Sequence, residues 1–551
     1  MDDDRRPTLR DTNLGKLSRE RFDVLVLGGG INGAVSAASL AARGARVALV
    51  DRGDFAGATS QESSNLAWGG IKYLETYEMR LVRELCRARN KLLRCYPSIV
   101  HEIRFYTSHP RRFRHARWKL IMGAWLYWAI GGFSTRRPRL LSLGDIAREE
   151  PTIEMDGLDG GFEYSDAYLH DNDARFVWSF VRSALDYGCV AANYVEALRS
   201  TRENDEWVTL ARDVISGLEV PIRSRLLVNA CGPYADRVNS SMGLQTAHRH
   251  VFSKGIHLVV DCLTPNRRVL TFFADDGRLF FVVPMGQRAC VGTTDTPVSG
   301  PDVKVTPEDR RFVLDNINKR LRLPRALSER DIIAERCGVR PLVVEAGANA
   351  DPDWLQLSRK HVIETNAGQR HITIFGGKLT DCINVGEEIC AEAQRLGIAL
   401  PYAGRLWYGE PHPAVREQYF HQARLMRLDD LAAPPGAERL STRLWRRYGA
   451  EALGMLEAVR RDPRMAEVII ETSEYRRCEL DEAARREMVV KLEDFLRRRS
   501  KLSLVVRRED IRRAPGLREA CAILFGRDID AKIAEYFDGA PAAGSSEEAR
   551  R

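Results

Sequence analysis

The chain has 551 residues, of which 44% are hydrophobic and 29% charged, with a formal net charge of +8. A chain of this length buries more than one core, so several domains are expected. The composition is that of a globular protein rather than a fibrous or low-complexity one, and the modest charge comes without any nucleic-acid-binding motif.

Residues 1–19, acidic and then mixed, read as a flexible leader. They have no apolar h-region, which argues against a cleaved signal peptide. Val24 to Leu27 is an apolar run that reads as a buried parallel strand. Gly28-Gly29-Gly30-Ile31-Asn32-Gly33 follows as G-x-G-x-x-G, and an alanine-rich helix then runs to Arg43-Gly44. Gly28 makes the tight turn, Gly30 lets the backbone approach a pyrophosphate, and Gly33 permits close helix–strand packing. The N–H groups of the helix start favour phosphate. Asp51 ends the second strand of the unit, placed for a ribose diol. Strand, turn, helix, strand and acid in register point to a bound dinucleotide.

Residues 57–70, GATSQESSNLAWGG, form a loop of small polar residues that leads to a helix from about Leu74 to Arg94. Leu120 to Phe133 is apolar but too short to span a bilayer. It lies between Arg111, Arg112, Arg114, Arg117 and Lys119 on one side and Arg136, Arg137 and Arg139 on the other. With Trp125, Tyr127 and Trp128 inside it, the segment suits either a helix lying in a membrane interface or a buried helix with surface arginines.

Arg225 to Ala230 is another apolar strand. The stretch from Gly255 to Pro297 changes character, with short β-rich runs separated by turn residues, which suggests antiparallel strands in a second domain over the reactive end of the cofactor. His371 to Gly377, HITIFGG, returns to a strand, and a helix follows through Gly397. From Pro401 the pattern is helical, with amphipathic runs at Glu451–Arg461 and Leu480–Arg499, and the tail from Ala540 reads as disordered. Arg497-Arg498-Arg499 reads as a solvated face or a contact for an anionic partner. The eleven cysteines include no C-x-x-C and read as reduced, buried residues of a cytoplasmic protein, and no cluster has metal-ligand spacing.

Several separated motifs resemble the FAD-dependent, respiratory-type glycerol-3-phosphate dehydrogenase family. They are GGGINGA (28–34), ATSQESSNL (58–66), GGIKYLETYEMRLV (69–82), GFEYSD (161–166), NACGPYAD (229–236), KGIHLVV (254–260), VGTTD (291–295), CGVRPL (337–342) and FGGKLT (375–380). The run from Arg486 to Leu502 extends the resemblance toward the C-terminus. The resemblance implies an α/β fold with a Rossmann-like FAD-binding domain of the glutathione-reductase/D-amino-acid-oxidase type, a β-rich substrate domain and a C-terminal helical domain. The FAD domain is expected from 20–100, 155–245 and 355–400, the substrate domain from 101–154 and 246–354, and the helical domain from 401–540.

The implied activity is oxidation of sn-glycerol 3-phosphate to dihydroxyacetone phosphate, with hydride to FAD and electrons to a quinone. It also implies peripheral attachment to the anionic inner face of the cell membrane and leaves a homodimer open. Cofactor contacts are expected from Gly28, Gly30, Asn32, Gly33, Asp51, Thr59, Ser60, Ser64, Asn65, Gly376, Gly377, Lys378, Leu379 and Thr380. Carried over residue by residue, Arg340 becomes the phosphate clamp, as a guanidinium pairs bidentately with phosphate oxygens. His257 becomes the base for the C2 hydroxyl. Lys378, Lys72, Tyr73, Thr294 and Arg359 complete the substrate site.

Two positions depart from the family pattern. Its usual H-G-G-L-R-Y-L-E reads W-G-G-I-K-Y-L-E at 68–75, so Trp68 replaces a histidine and Lys72 an arginine. This opens a second reading, a paralogue acting on another polyol phosphate or hydroxy acid. An oxidase passing electrons to oxygen is a third reading. A non-catalytic flavin-binding membrane scaffold that uses the basic segments is a fourth.

Overall fold

The structure, a computed structural model, describes residues 8–539 apart from 112, 114, 348–359, 432–437 and 472. Among them, two sheets account for the strands between Arg21 and Phe375. The first has eight strands. Its path runs Val362–Asn366, His371–Phe375, Glu219–Asn229, Arg21–Leu27, Val47–Val50 and Val190–Ala192, and a hairpin over Val195–Asp213 joins Glu219–Asn229. The four inner pairings are parallel. Parallel strands are covered on both faces and read as continuous apolar runs, as Val24 to Leu27 does, each residue being buried. The helix Ile31–Ala42, all small or apolar on its packed side, lies between the helices Asp173–Asp186 and Cys382–Arg395.

The second sheet has ten strands, in the path Thr296–Val298, His248–Asp261, Arg288–Gly292, Leu279–Met285, Val269–Phe273, Val100–Pro110, Leu158–Leu169 and Leu66–Ala67. Ala334–Glu345 pairs along nearly the whole of His248–Asp261. The β-rich block read from the sequence is thus antiparallel throughout its own hairpins. Leu158–Leu169, which the sequence assigns to the FAD domain, belongs to this second sheet. Antiparallel pairing with Val100–Pro110 outweighs its place in the chain.

Three expectations change. The leader is not flexible over its second half: Leu9–Arg19 is a helix, opened by a Thr8–Asp11 capping box. Its polar residues are recruited by the first sheet, with Asn13 donating to the Ala191 carbonyl and Arg10 pairing with Asp213. These are tertiary contacts that no apolar periodicity announces. The run Leu480–Arg499 is not one helix. Arg477–Arg486 ends at Met488, whose φ is +50°, and a wide turn over Asp494–Arg499 follows. Beyond it the Asp494 carboxylate accepts from the backbone N–H groups of Val490 and Lys491, which organises the entry to the turn. Finally, Arg497, Arg498 and Arg499 are buried rather than solvated. Arg498 and Arg499 both donate to Asp54, and Arg497 to Glu62, so the triplet fastens the C-terminal domain to the FAD domain.

The segment Leu120–Phe133 forms most of a helix, Arg117–Ile130, and its end. Only Ala124 and Tyr127 are buried; Trp118 (58%), Met122 (59%), Trp125 (44%) and Leu126 (45%) stay exposed. A helix buried on all sides is therefore excluded. No helix among the described residues is long and apolar enough to cross a membrane. The tail 540–551, residues 1–7, Arg112 and Arg114 lie outside the described residues.

Candidate active site

The turn Gly28–Gly30 leaves the strand Arg21–Leu27 and enters the helix at Ile31. Gly28 has φ +95°, and a β-carbon there would sit 2.6 Å from the Ala230 carbonyl oxygen. A β-carbon on Gly33 would overlap the Gly28 carbonyl, which explains why the helix packs so near the turn. A β-carbon on Gly30 would meet only the Ser60 hydroxyl, at 3.1 Å, and would otherwise fill the cleft. Asp51 accepts from the N–H groups of Gly29 (2.6 Å) and Gly53 (2.8 Å). Burial pushes its carboxyl up, and those two donors oppose the rise.

These residues border a cavity of about 730 Å³ that also touches Leu27, Gly57, Thr59, Tyr194, Gly376 and Gly377. Ser60 caps the helix start by accepting from the Ile31 N–H at 3.0 Å, and Thr59 donates to the Val339 carbonyl at 3.0 Å. Asn32 donates to the Gly376 carbonyl at 2.9 Å, while its buried carbonyl oxygen has no hydrogen-bond partner. Two backbone cradles and one orphaned acceptor beside Gly377 (φ +105°) suit a dinucleotide lying from Asp51 toward Gly377.

Ser64 and Asn65 stand apart from that cavity. Asn65 is fully buried, donates to the Asp171 carbonyl and accepts from Arg336, so it ties the loop to the second sheet. Leu379 and Thr380 form the short turn after Lys378, where Thr380 donates to the Trp68 carbonyl at 3.3 Å.

The substrate side follows from strand register. His257 pairs with Arg336, Gly255 with Gly338 and Ser253 with Arg340. Alternate residues share a face, so His257, Arg336 and Arg340 point the same way. A β-carbon on Gly255 would overlap the Arg340 guanidinium, so that glycine makes room for the arginine. Arg340 donates to the Thr293 hydroxyl (2.9 Å), the Thr294 carbonyl (3.2 Å) and Asp295 (3.2 Å). The Thr294 hydroxyl accepts from the Ile256 N–H at 3.1 Å, which pins this loop beside His257. Across the sheet His257 also pairs with Gly292, and Gly292 with Phe281, on which Trp68 packs edge-on at 6.5 Å.

His257 is buried, and its Nδ1 has no hydrogen-bond partner. Burial first, and then the charges of Arg336 and Arg340, hold its pKa down to about 3, so the imidazole is neutral. Lys378 donates to the Tyr73 hydroxyl at 2.6 Å and lies 4.1 Å above that ring. Gly376, two residues before Lys378, runs past the strand that carries Arg340: a β-carbon on it would lie 3.5 Å from the Pro341 carbonyl oxygen. The structure therefore forms two groups, His257 with Arg340 and Thr294 on one sheet face, and Lys378 with Tyr73 at the turn that holds Lys72. Arg359 lies outside the described residues.

Sequence reasoning missed two groups. Asp54, Tyr194, Lys491 and Arg498 line the cavity. Arg336, opposite His257, is fully buried and pairs with Asp173 at 2.6 Å. Arg336 stands one residue before CGVRPL, and its charge inside an alternating strand was a readable signal.

The profile of the FAD dependent oxidoreductase family matches residues 23–377, and that of the C-terminal domain of alpha-glycerophosphate oxidase matches residues 418–531. An aerobic glycerol-3-phosphate dehydrogenase of Bacillus subtilis is 31% identical over 69% of this chain and 68% of its own. The chain belongs to the FAD-dependent glycerol-3-phosphate dehydrogenase family. Its cofactor is FAD, and the cavity from Asp51 to Gly377 is where that family membership and the glycine cradles converge. D-Erythritol 1-phosphate dehydrogenase of Brucella abortus is 32% identical over 70% of this chain and 76% of its own. The fold is that of glycerol-3-phosphate dehydrogenase from Bacillus halodurans complexed with FAD, with a TM-score of 0.70, 23% identity and 97% of each chain covered.

Proposed function

We propose that this FAD-dependent oxidoreductase oxidises sn-glycerol 3-phosphate to dihydroxyacetone phosphate and passes the electrons to a membrane quinone. The observation that carries the reading is the shared face of His257 and Arg340, a neutral imidazole beside a guanidinium given space by Gly255. FAD, when bound, would supply the two-electron acceptor for the C2 hydrogen. Gly28, Gly30 and Asp51 would hold its adenosine and pyrophosphate half, with Gly33 letting the helix pack against the turn. Asn32, Gly376 and Gly377 border the flavin half.

Arg340 holds the substrate phosphate by exchanging Asp295 for phosphate oxygens, a geometry its planar fork suits. Lys378 and Lys72 add positive charge, and Tyr73, whose hydroxyl accepts from Lys378, adds a hydroxyl. His257 takes the C2 hydroxyl proton at Nε2, since Nδ1 is enclosed and out of a substrate's reach, a role that requires the hydrogen of the neutral ring on Nδ1. The phosphate dianion offsets the Arg340 charge that depresses His257, so substrate binding raises the basicity of its own base. Anaerobic mixing with glycerol 3-phosphate should bleach the flavin absorbance; an unchanged spectrum refutes the substrate.

A second reading rests on Trp68. Its indole N–H donates to the Tyr164 hydroxyl at 3.3 Å, and its ring fills the space between Tyr73 and Phe281. A site reshaped there, in a chain resembling an erythritol-phosphate enzyme as closely as a glycerol-phosphate one, supports a four-carbon polyol phosphate. Faster flavin reduction by D-erythritol 1-phosphate than by glycerol 3-phosphate would decide for it.

The exposed face of Arg117–Ile130 supports contact with an anionic membrane. Trp125 borders an open pocket with Arg104, Arg136, Arg137, Arg267 and Arg268, so apolar and basic groups meet at one edge. The protein should sediment with phosphatidylglycerol vesicles at low salt, and failure to do so would refute the contact.

A further inference from the structure

Trp68, Gly69 and Gly70 lead into the short turn Ile71–Leu74, which carries Lys72 and delivers Tyr73 to Lys378. Gly70 is left-handed, with φ +80°. Beneath the turn lies a carboxylate with no exposure to solvent, Asp166. It accepts from the Gly69 N–H at 3.1 and 3.2 Å, from the Tyr127 hydroxyl at 2.7 Å, and from Arg89 at 3.2 Å. Arg89 and Tyr127 are themselves buried, and Arg89 is steadied by Asn90, whose amide donates to the Gly131 carbonyl at 2.7 Å. A β-carbon on Gly69 would overlap the Tyr127 hydroxyl and lie 3.1 Å from the Cys86 sulfur, so the turn is shaped to this cluster.

A buried ion pair adds little net stability over apolar packing of the same volume. Here Arg89 and Tyr127 donate to the same carboxylate that accepts a backbone N–H of the turn. We propose that Asp166, held by Arg89 and Tyr127, is a positioning residue that sets the Trp68–Tyr73 turn and through it Lys72 and Tyr73. The inference rests on the substrate site proposed above. Tyr127 is the inward residue of the helix whose outward face carries Trp118, Met122 and Trp125. The seat of that surface helix and the geometry of the turn are therefore one unit.

The test is Tyr127→Phe in the full holoenzyme, which removes one hydroxyl and keeps the packing. Backbone amide exchange over residues 69–73 should accelerate about tenfold, with FAD content unchanged. KM for the phosphorylated substrate should rise about tenfold while kcat stays within about twofold, as expected for lost binding shared by ground and transition states. Adding Tyr127→Phe to Lys72→Ala should raise KM by less than about twofold more, because both act through one turn. Unchanged exchange over 69–73 overturns the proposal, as does a fully multiplicative double variant. If glycerol 3-phosphate fails to reduce the wild-type flavin while exchange still accelerates, the substrate reading falls and the positioning role stands.

Discussion

His257 offers the sharpest test of the site. Its pKa falls from 6.5 to about 3, with burial the main cause and Arg336 and Arg340 the others. At 1.36 kcal/mol per unit, protonating it inside the protein costs about 5 kcal/mol more than in water. The direction matters for function, because a neutral imidazole can take a proton but binds it weakly until a phosphate neutralises Arg340. Protein labelled with 13C at histidine Cε1 allows the ring to be followed directly, its resonance identified by its loss in His257→Gln. In the substrate-free holoenzyme that resonance should stay in the neutral position down to pH 4. Arg340→Ala should lift the midpoint by about one unit, and so should bound substrate. His257→Gln should lower kcat by about 100- to 10,000-fold with FAD still bound. The depressed group also has a stability consequence. Below pH 6.5 the unfolded chain takes up a proton that folded His257 refuses, so the wild type loses about 1.4 kcal/mol per pH unit relative to His257→Gln. A substrate-free midpoint near 6.5, or one indifferent to Arg340→Ala, would refute the electrostatic account.

Gly255→Ala places a β-carbon on the Arg340 guanidinium and should raise KM about tenfold without loss of FAD, read by steady-state kinetics and flavin content. Asp54 is held below the usual carboxylate range by Arg499 and Arg498, against the pull of burial. Asp54→Ala strands both arginines and should destabilise the protein by about 3–5 kcal/mol, with the C-terminal domain released first to protease. His361 is opposed by burial but raised to about 9 by Asp381 and Glu388. Its stabilising effect is therefore complete below pH 6.5 and disappears as pH rises through 9. His361→Gln should cost at most about 3 kcal/mol at pH 6 and little at pH 9.5, measured by denaturant midpoints. Gly30→Ala fills the cleft side of the turn and should weaken FAD retention while leaving the apoprotein folded, a difference seen in flavin release and thermal melting.

The cofactor unit was legible because its signals are local. Strand, glycine turn, helix start and Asp51 lie within 30 consecutive residues, and each does its work by backbone conformation or by hydrogen bonds to a near neighbour. His257 and Arg340 could be named one at a time, but 83 positions separate them, and only the pairing of His248–Asp261 with Ala334–Glu345 puts them on one face. The helical leader and the interrupted run at 480–499 were illegible for the opposite reason. Polar residues decide both, through partners such as Asp213, Ala191 and Tyr194 that lie far away in the chain.

Arg497-Arg498-Arg499 marks the limit most plainly. Three adjacent cations look like a solvated or lipid-facing run, since an unpaired buried charge is prohibitive. Asp54 and Glu62, more than 430 residues earlier, reverse that balance and make the triplet an internal fastening. By itself the sequence determined the family and the cofactor, because turn conformation, apolar periodicity and residue chemistry are properties of short segments. Tertiary structure alone decided which charges are buried, which nitrogen of His257 is enclosed, and that Asp166 accepts from both Tyr127 and the Gly69 turn. Charge, solvation and orientation depend on partners that only the folded chain brings within hydrogen-bond reach.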